Sequence, residues 1–117
     1  MVGVKRGDIW LVDLNPTQGS EQKGIRPCLV ISNDITNNYS PTVCVIPLTS
    51  DLTGRKYPIN VLLKKEEAGL KVDSLVLCGQ IRTVTKERLI RKISEMNPDK
   101  FPSVEKAIAI YLGFRRV

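Results

Sequence analysis

Short apolar segments alternate with polar connections along most of the chain. Their lengths, and their content of Val, Ile and Leu, are typical of β-strands. The pattern predicts strands over residues 8–14, 27–32, 42–49, 57–63, 73–84 and 89–93. Pro47 predicts an edge, a bulge or the end of the third strand, because proline cannot donate to a ladder. Alternation in the fifth segment predicts that Gln80 and Arg82 share one face of a strand.

The C-terminal segment carries the only strong helical pattern. Its apolar residues recur at helical spacing, at Val104, Ala107, Ile108, Tyr111 and Leu112. Gly113 fits the C-cap of this helix, and we expect both Trp10 and Tyr111 to be core residues. Shorter helical turns are predicted over 64–68, ended by Gly69, and over 85–89, whereas 33–41 is interpreted as turn-rich.

Several short strands with few helices predict an α+β fold that is mainly β. We expect a small, strongly bent antiparallel SH3-like barrel, with the C-terminal helix covering one face or end. The length of 117 residues fits a single domain over residues 1–117. Neither a membrane span nor the apolar core of a signal peptide is visible, so the default expectation is a cytoplasmic protein.

The amino-acid composition limits which catalytic and metal-binding residues the chain can use. Histidine is absent, which removes the commonest general base and metal ligand and excludes a ribonuclease with two catalytic histidines. The three cysteines are far apart and form no CxxC motif, so they predict reduced core residues rather than a zinc site or disulfides. A net charge of +6 favours polyanionic partners.

The polar connection from Thr17 to Ile25 is the first candidate for function. It contains two glycines and no periodicity, and long loops in compact domains are often functional. It presents Glu21 and Lys23 and leads to Arg26 just before a buried segment. A guanidinium held in this way can bind a phosphate with two donors. A surface loop with solvated charges is the alternative interpretation.

Two further groups are weaker candidates. Thr49 and Ser50 end the third predicted strand, where a hydroxyl can donate to a phosphoryl oxygen, although such clusters also form ordinary turns. Gln80 and Arg82 could read a base edge and a phosphate. The alternative for this pair is the solvent face of a half-buried sheet.

Taken together, these segments resemble the MazF/PemK family of toxin endoribonucleases from type II toxin–antitoxin systems. The similarity covers essentially the whole chain. Its most specific part is the motif GSEQKGIRP at 19–27, supported by RGDIW at 6–10, IPLTS at 46–50 and QIRTV at 80–84. The resemblance implies catalytic roles for Arg26, Thr49 and Glu21. It also implies a substrate-binding set comprising Ser20, Gln22, Lys23, Ser50, Gln80 and Arg82.

The resemblance further implies a homodimer that cleaves single-stranded RNA at a short sequence without metal or cofactor. The products would carry 2′,3′-cyclic phosphate and 5′-hydroxyl ends, and an acidic antitoxin would neutralise the activity. Gly79 stands where relatives often carry an acidic residue, so no cleavage sequence is carried over. Two alternatives stay open: a non-catalytic toxin of the same fold that binds a topoisomerase, and a basic RNA-binding barrel.

Overall fold

Seven strands form one strongly bent antiparallel sheet in the computed structural model, which describes residues 3–117. The strands are β1 (Asp8–Asp13), β2 (Ile25–Val30), β3 (Thr42–Thr49), β4 (Asn60–Leu63), β5 (Ser74–Leu77), β6 (Arg82–Thr85) and β7 (Leu89–Glu95). Their order is β4-β5-β3-β2-β1-β7, and β6 pairs with the first half of β3. The sheet does not close, but the molecule measures 36 × 33 × 31 Å, so the sheet wraps around its core as predicted for a bent barrel.

Both faces of the central strands are buried. In β2, Leu29 packs in one apolar cluster with Ile9 and Ile46. Its neighbours Cys28 and Val30 pack in a second cluster, which also contains Trp10. Burial on both faces explains why these strands are continuous apolar runs in the sequence rather than alternating ones.

Within residues 3–117 there are three α-helices: α1 (Asp34–Tyr39), α2 (Lys65–Ala68) and α3 (Phe101–Tyr111). α2 ends at Gly69 in the left-handed conformation, as predicted. α3 buries Val104 and Ala107 in the first cluster, but 47% of Tyr111 is exposed. The prediction that Tyr111 is a core residue is therefore wrong, whereas Trp10 is buried as expected.

α1 corrects the prediction of a turn-rich 33–41 segment. The side chain of Asn33 accepts a hydrogen bond from the Thr36 N–H at 2.8 Å and caps the helix. Asn37 is buried, and its amide donates to the Ser32 carbonyl and the Asp34 carboxylate. These bonds stabilise a six-residue helix that has no apolar periodicity of its own.

The predicted strand 73–84 is two strands separated by a 3₁₀ turn at Cys78–Gln80. β5 pairs with the end of β3 and β6 pairs with its beginning, so the turn carries the chain from one ladder to the other. Gln80 lies in the turn and Arg82 in β6, and the prediction that they share one strand face is wrong.

Pro47 is not on an edge strand, because β3 lies in the interior of the sheet. On one side β3 changes partner from β6, which it leaves at Val45, to β5, which it joins at Leu48. Pro47 lies in the short interval between these ladders. The predicted strand 57–63 is also shorter, since it begins only at Asn60.

Two further observations concern the cysteines and membrane spans. All three cysteines are free; Cys28 and Cys78 are buried as predicted, whereas Cys44 is half-buried. Within residues 3–117, no helix has the length and apolar character needed to cross a bilayer.

Candidate active site

Two cavities lie where β2 begins and β3 ends. The larger, of about 660 Å³, is called the Arg26 groove and is lined by Lys23, Ile25, Arg26, Pro27, Leu48 and Ser50, with residues from 69–74 and Ile93 on its far side. The smaller, of about 460 Å³, is called the Gln80 pocket and is lined by Ser20, Glu21, Gln22, Gly79, Gln80, Arg82 and Tyr111, with Pro47 and Ile81. The predicted site residues are therefore divided between the two cavities, except for Thr49, which lines neither.

Strand pairing brings the beginning of β2, which carries Arg26, near the end of β3, which carries Thr49. β2 and β3 pair antiparallel with Cys28 opposite Pro47 and Leu29 opposite Ile46. The ladder ends at the pair of Cys28 and Pro47; if the same register continued by two residues, Arg26 would stand opposite Thr49. Side chains of directly opposed residues project from the same face, with Cβ atoms about 5 Å apart. Thr49 pairs with Leu75 of β5, so its backbone is held by that strand.

Arg26 is half-buried as a residue, and one nitrogen of its guanidinium makes a hydrogen bond. Its Nε donates to the Lys23 carbonyl at 2.9 Å. The N–H groups of the two terminal nitrogens remain available. No carboxylate among residues 3–117 lies within ion-pair distance of it. A guanidinium with several available donors is suited to binding a phosphate.

The pKa of the Cys28 thiol is affected by the positive charges of two arginines. Burial raises the pKa of the Cys28 thiol to about 12, and the positive charges of Arg82 and Arg26 oppose that rise. Both guanidinium groups therefore act on the same buried sulfur. The thiol stays protonated at neutral pH, so Cys28 is a core residue and not a nucleophile.

The hydroxyl groups of the site lie at the end of β3. Thr49 Oγ1 accepts the Asp51 N–H at 3.1 Å, which leaves the hydroxyl hydrogen available to a ligand. Ser50 is exposed and lines the Arg26 groove. Lys23 and Lys71 also line this groove, and none of the ion pairs found in the described chain involves them. The groove is therefore cationic.

Two arginines donate hydrogen bonds to backbone carbonyls at the beginning of the connection between β1 and β2. Arg82 Nη1 donates to the Leu14 carbonyl at 3.2 Å. Arg88 Nη1 donates to the carbonyl of Asp13 at 3.1 Å and also to that of Asn15. Arg88 was not found by sequence reasoning, because it lies in a short charged turn with no pattern that separates it from solvated residues.

The middle of the connection is held by Gln80. Its side-chain oxygen accepts the Gln22 N–H at 3.2 Å, and its side-chain nitrogen donates to the Ser20 carbonyl at 3.5 Å. Glu21 lies between these contacts, and its carboxylate accepts the Gln18 N–H at 2.7 Å. Glu21 lines the Gln80 pocket and not the Arg26 groove, so this conformation does not bring it to Arg26 and Thr49.

The described part of the chain has no cluster of side chains that could bind a metal ion. Residues 3–117 contain no group of three or more Cys, Asp or Glu side chains placed to hold an ion. The functional groups that line the Arg26 groove are instead a guanidinium, ammonium groups and hydroxyls. This donor set can bind and polarise a phosphodiester.

Comparison with known proteins gives a consistent result. The family model of PemK-like, MazF-like toxins of type II toxin–antitoxin systems matches residues 5–112. Endoribonuclease MazF of Staphylococcus saprophyticus subsp. saprophyticus is 44% identical over 114 residues, which cover 97% of this chain and 95% of that protein. The alignment therefore includes both cavities.

Solved structures share the fold. MazF from Deinococcus radiodurans superposes with a TM-score of 0.83 at 28% identity, covering 97% of this chain and 99% of that one. A MazE–MazF structure from the same organism gives a TM-score of 0.77 at 26% identity, covering 98% and 100%. These superpositions confirm the predicted bent barrel with a C-terminal helix.

Proposed function

Because the chain belongs to the PemK-like, MazF-like toxins of type II toxin–antitoxin systems, we propose that it is a sequence-specific endoribonuclease that cleaves single-stranded RNA without a metal ion. The observation that carries the proposal is the cationic groove that Arg26 lines. The register of β2 with β3, continued beyond its last pair, would set Thr49 opposite Arg26. The 44% identical relative is an endoribonuclease. That relationship favours catalysis over a topoisomerase-binding toxin or a non-catalytic RNA-binding barrel.

The proposed reaction is an internal transesterification. The ribose 2′-oxygen attacks the adjacent phosphorus and the bond to the 5′-oxygen breaks, which leaves a 2′,3′-cyclic phosphate and a 5′-hydroxyl. Negative charge grows on the phosphoryl oxygens, so donors fixed in advance stabilise the transition state. Arg26 and the Thr49 hydroxyl supply these donors. A guanidinium has donors and no acceptor, so Arg26 donates hydrogen bonds to the phosphoryl and leaving oxygens rather than acting as a base. The leaving 5′-oxygen takes its proton from solvent water.

Glu21 is the proposed general base for the 2′-hydroxyl. Its carboxylate currently accepts the Gln18 N–H within its own loop. The base role therefore requires this loop turn to open when RNA enters the Arg26 groove. Lys23 and Ser50, which line the groove beside Arg26, bind phosphates that flank the cleaved bond. Ser20, Gln22, Gln80 and Arg82 belong to the adjoining part of the RNA surface.

The proposed assembly is a homodimer inhibited by an acidic antitoxin. A MazF from Deinococcus radiodurans has been solved with MazE. The net charge of +6 per chain attracts acidic side chains as it attracts phosphates, and two symmetric chains would double the field around a shared groove. The apolar side chains of the Arg26 groove, Pro27 and Leu48 among them, would receive the apolar anchors of the antitoxin.

The proposal is tested by incubating the purified protein with RNA in excess EDTA and sequencing the fragment ends. We expect cleavage at a recurring short sequence, with cyclic phosphate and 5′-hydroxyl ends. DNA of the same sequence should bind but stay intact, because it lacks the attacking 2′-hydroxyl. An Arg26→Ala preparation purified in parallel controls for contaminating ribonucleases. Strict dependence on Mg²⁺ or Mn²⁺, or 5′-phosphate ends, would contradict the proposal.

A further inference from the structure

One polar atom in the Gln80 pocket lacks a partner. Gln22 Oε1 is buried and accepts no hydrogen bond from any residue between 3 and 117. Buried polar atoms in folded proteins are nearly always hydrogen-bonded, so an exception calls for an explanation. Gln22 also lines a cavity of about 460 Å³, which is within the range of about 300–1,000 Å³ typical of ligand pockets. The oxygen is not accessible from the cavity in this conformation, so a ligand donor would satisfy it once the Gln22 side chain turned toward the cavity.

Gln80 differs from Gln22 in that both of its polar atoms have a partner. Its side-chain oxygen is occupied by the Gln22 N–H and its side-chain nitrogen by the Ser20 carbonyl. Gln80 is therefore a positioning residue, because it fixes the backbone on both sides of Glu21. Base reading by Gln80 stays a prediction, because its amide oxygen keeps a second lone pair and its amide nitrogen a second N–H. Gln22, whose oxygen has no partner among the described residues, is a further candidate.

An aromatic ring forms the opposite wall of the pocket. Tyr111, at the end of α3, lines the cavity, and 47% of the residue is exposed. The ring lies against Gly79: a Cβ atom at position 79 would be 3.5 Å from the Tyr111 Cε1 atom and 3.0 Å from the Ile59 Cδ1 atom. A larger residue at 79 would press on Ile59 and narrow the space beside the ring. Gly79 and Tyr111 together therefore provide an accessible aromatic surface.

We propose that the Gln80 pocket binds one nucleobase of the RNA, which stacks on Tyr111 and donates its exocyclic amino group to Gln22 Oε1. This inference rests on the proposed function, because it assigns a base subsite to the same RNA-binding surface. Adenine and cytosine present an amino donor at the ring edge, whereas the exocyclic atoms of uracil are acceptors. The pocket consequently selects an amino-bearing base over uracil, while stacking supplies affinity for any base.

The test measures equilibrium binding of single-stranded oligo-A, oligo-C and oligo-U to the otherwise full chain carrying Arg26→Ala, which prevents cleavage. We expect oligo-A and oligo-C to bind more tightly than oligo-U. Adding Gln22→Met, which keeps the side-chain length but removes the acceptor, should abolish this preference. Tyr111→Leu should weaken binding of all three by about 5-fold to 150-fold, the range for one lost base stack. Tyr111→Phe should bind like the parent.

Tyr39→Ala is the matched control, because Tyr39 is 85% exposed and lines neither cavity. Unfolding midpoints of all variants show whether Tyr111→Leu still folds; if it does not, Tyr111→Gln provides the second ring-free variant. The inference is overturned if loss of the Tyr111 ring weakens binding no more than Tyr39→Ala, or if Gln22→Met keeps the preference against uracil. Cleavage by the unmodified chain is scored separately: binding with the expected pattern but without cleavage would contradict the proposed function alone.

Discussion

The most decisive perturbation of the active site is Arg26→Ala. The side chain enters the Arg26 groove from β2, and only its Nε is engaged, with the Lys23 carbonyl at 2.9 Å. Its remaining N–H donors are available to a phosphoryl group during the reaction. Alanine removes these donors and the bond to Lys23 together, but it leaves the β2 ladder intact because that ladder uses backbone groups.

The size of the effect follows from what the guanidinium does. Losing a single donor to a developing oxyanion costs about 10²–10³ in rate, or about 2.7–4 kcal/mol. Arg26 can offer two donors to one phosphate, so a loss of at least this size is expected for the chemical step. The loss of affinity should be much smaller, because Lys23, Lys71 and the remaining positive charge still attract RNA. Arg26→Lys should recover part of the affinity but little of the rate, since an ammonium lacks the planar fork.

Single-turnover cleavage at saturating protein separates the rate from binding. Arg91→Ala is the matched control, because Arg91 lies exposed on β7 and its loss changes the net charge equally. A comparison of unfolding midpoints for both variants checks that neither is partly unfolded. If Arg26→Ala cleaves RNA within about threefold of the unmodified chain, Arg26 is not the principal donor and the reasoning fails.

Three further outcomes follow from the geometry. Thr49→Ala should reduce the single-turnover rate less than Arg26→Ala, because a neutral hydroxyl donates more weakly than a charged group; an equal or larger loss would argue against this ranking. Lys23→Ala should weaken all RNA sequences alike and reduce the slope of log K against log salt by about 0.7, so a changed cleavage sequence would count against a phosphate contact. An acidic antitoxin peptide should compete with RNA and displace residues 17–25, and inhibition without reduced RNA binding to the Arg26→Ala variant would refute occlusion.

Local sequence patterns correctly predicted the strands and helices that depend mainly on neighbouring residues in the sequence. β3 was predicted to the residue, because an apolar run is bounded by turn formers at both ends. α2 was predicted from its charged turn and Gly69, which adopts a φ of 62° that favours glycine. The periodicity of α3 was also correct, but periodicity cannot distinguish a core contact from the wall of a cavity, and Tyr111 belongs to the latter.

Features that depend on distant partners could not be predicted. The apolar run through Leu75 and Cys78 contains no sign that the chain leaves one ladder of β3 and joins another. The six-residue α1 depends on side-chain bonds of Asn37 rather than on an apolar face. For the site, the motifs proposed Arg26 and Thr49, but their relative position depends on how β2 and β3 pair, which the sequence does not show.

The loop between β1 and β2 contributes residues to both cavities. An inhibitor that moves this loop would therefore alter both cavities. Arg82 and Arg88 hold the first residues of this loop. Three further hydrogen bonds involve residues that line the cavities: Gln22 N–H to Gln80, Gln80 to the Ser20 carbonyl, and Arg26 Nε to the Lys23 carbonyl. At about 1 kcal/mol net for each bond, displacing this segment costs on the order of 3 kcal/mol. Binding with a nanomolar Kd corresponds to about 12 kcal/mol. A tight inhibitor can therefore move the loop, which would remove Gln22 from the pocket and release the bond that steadies Arg26, without contacting every group that binds RNA.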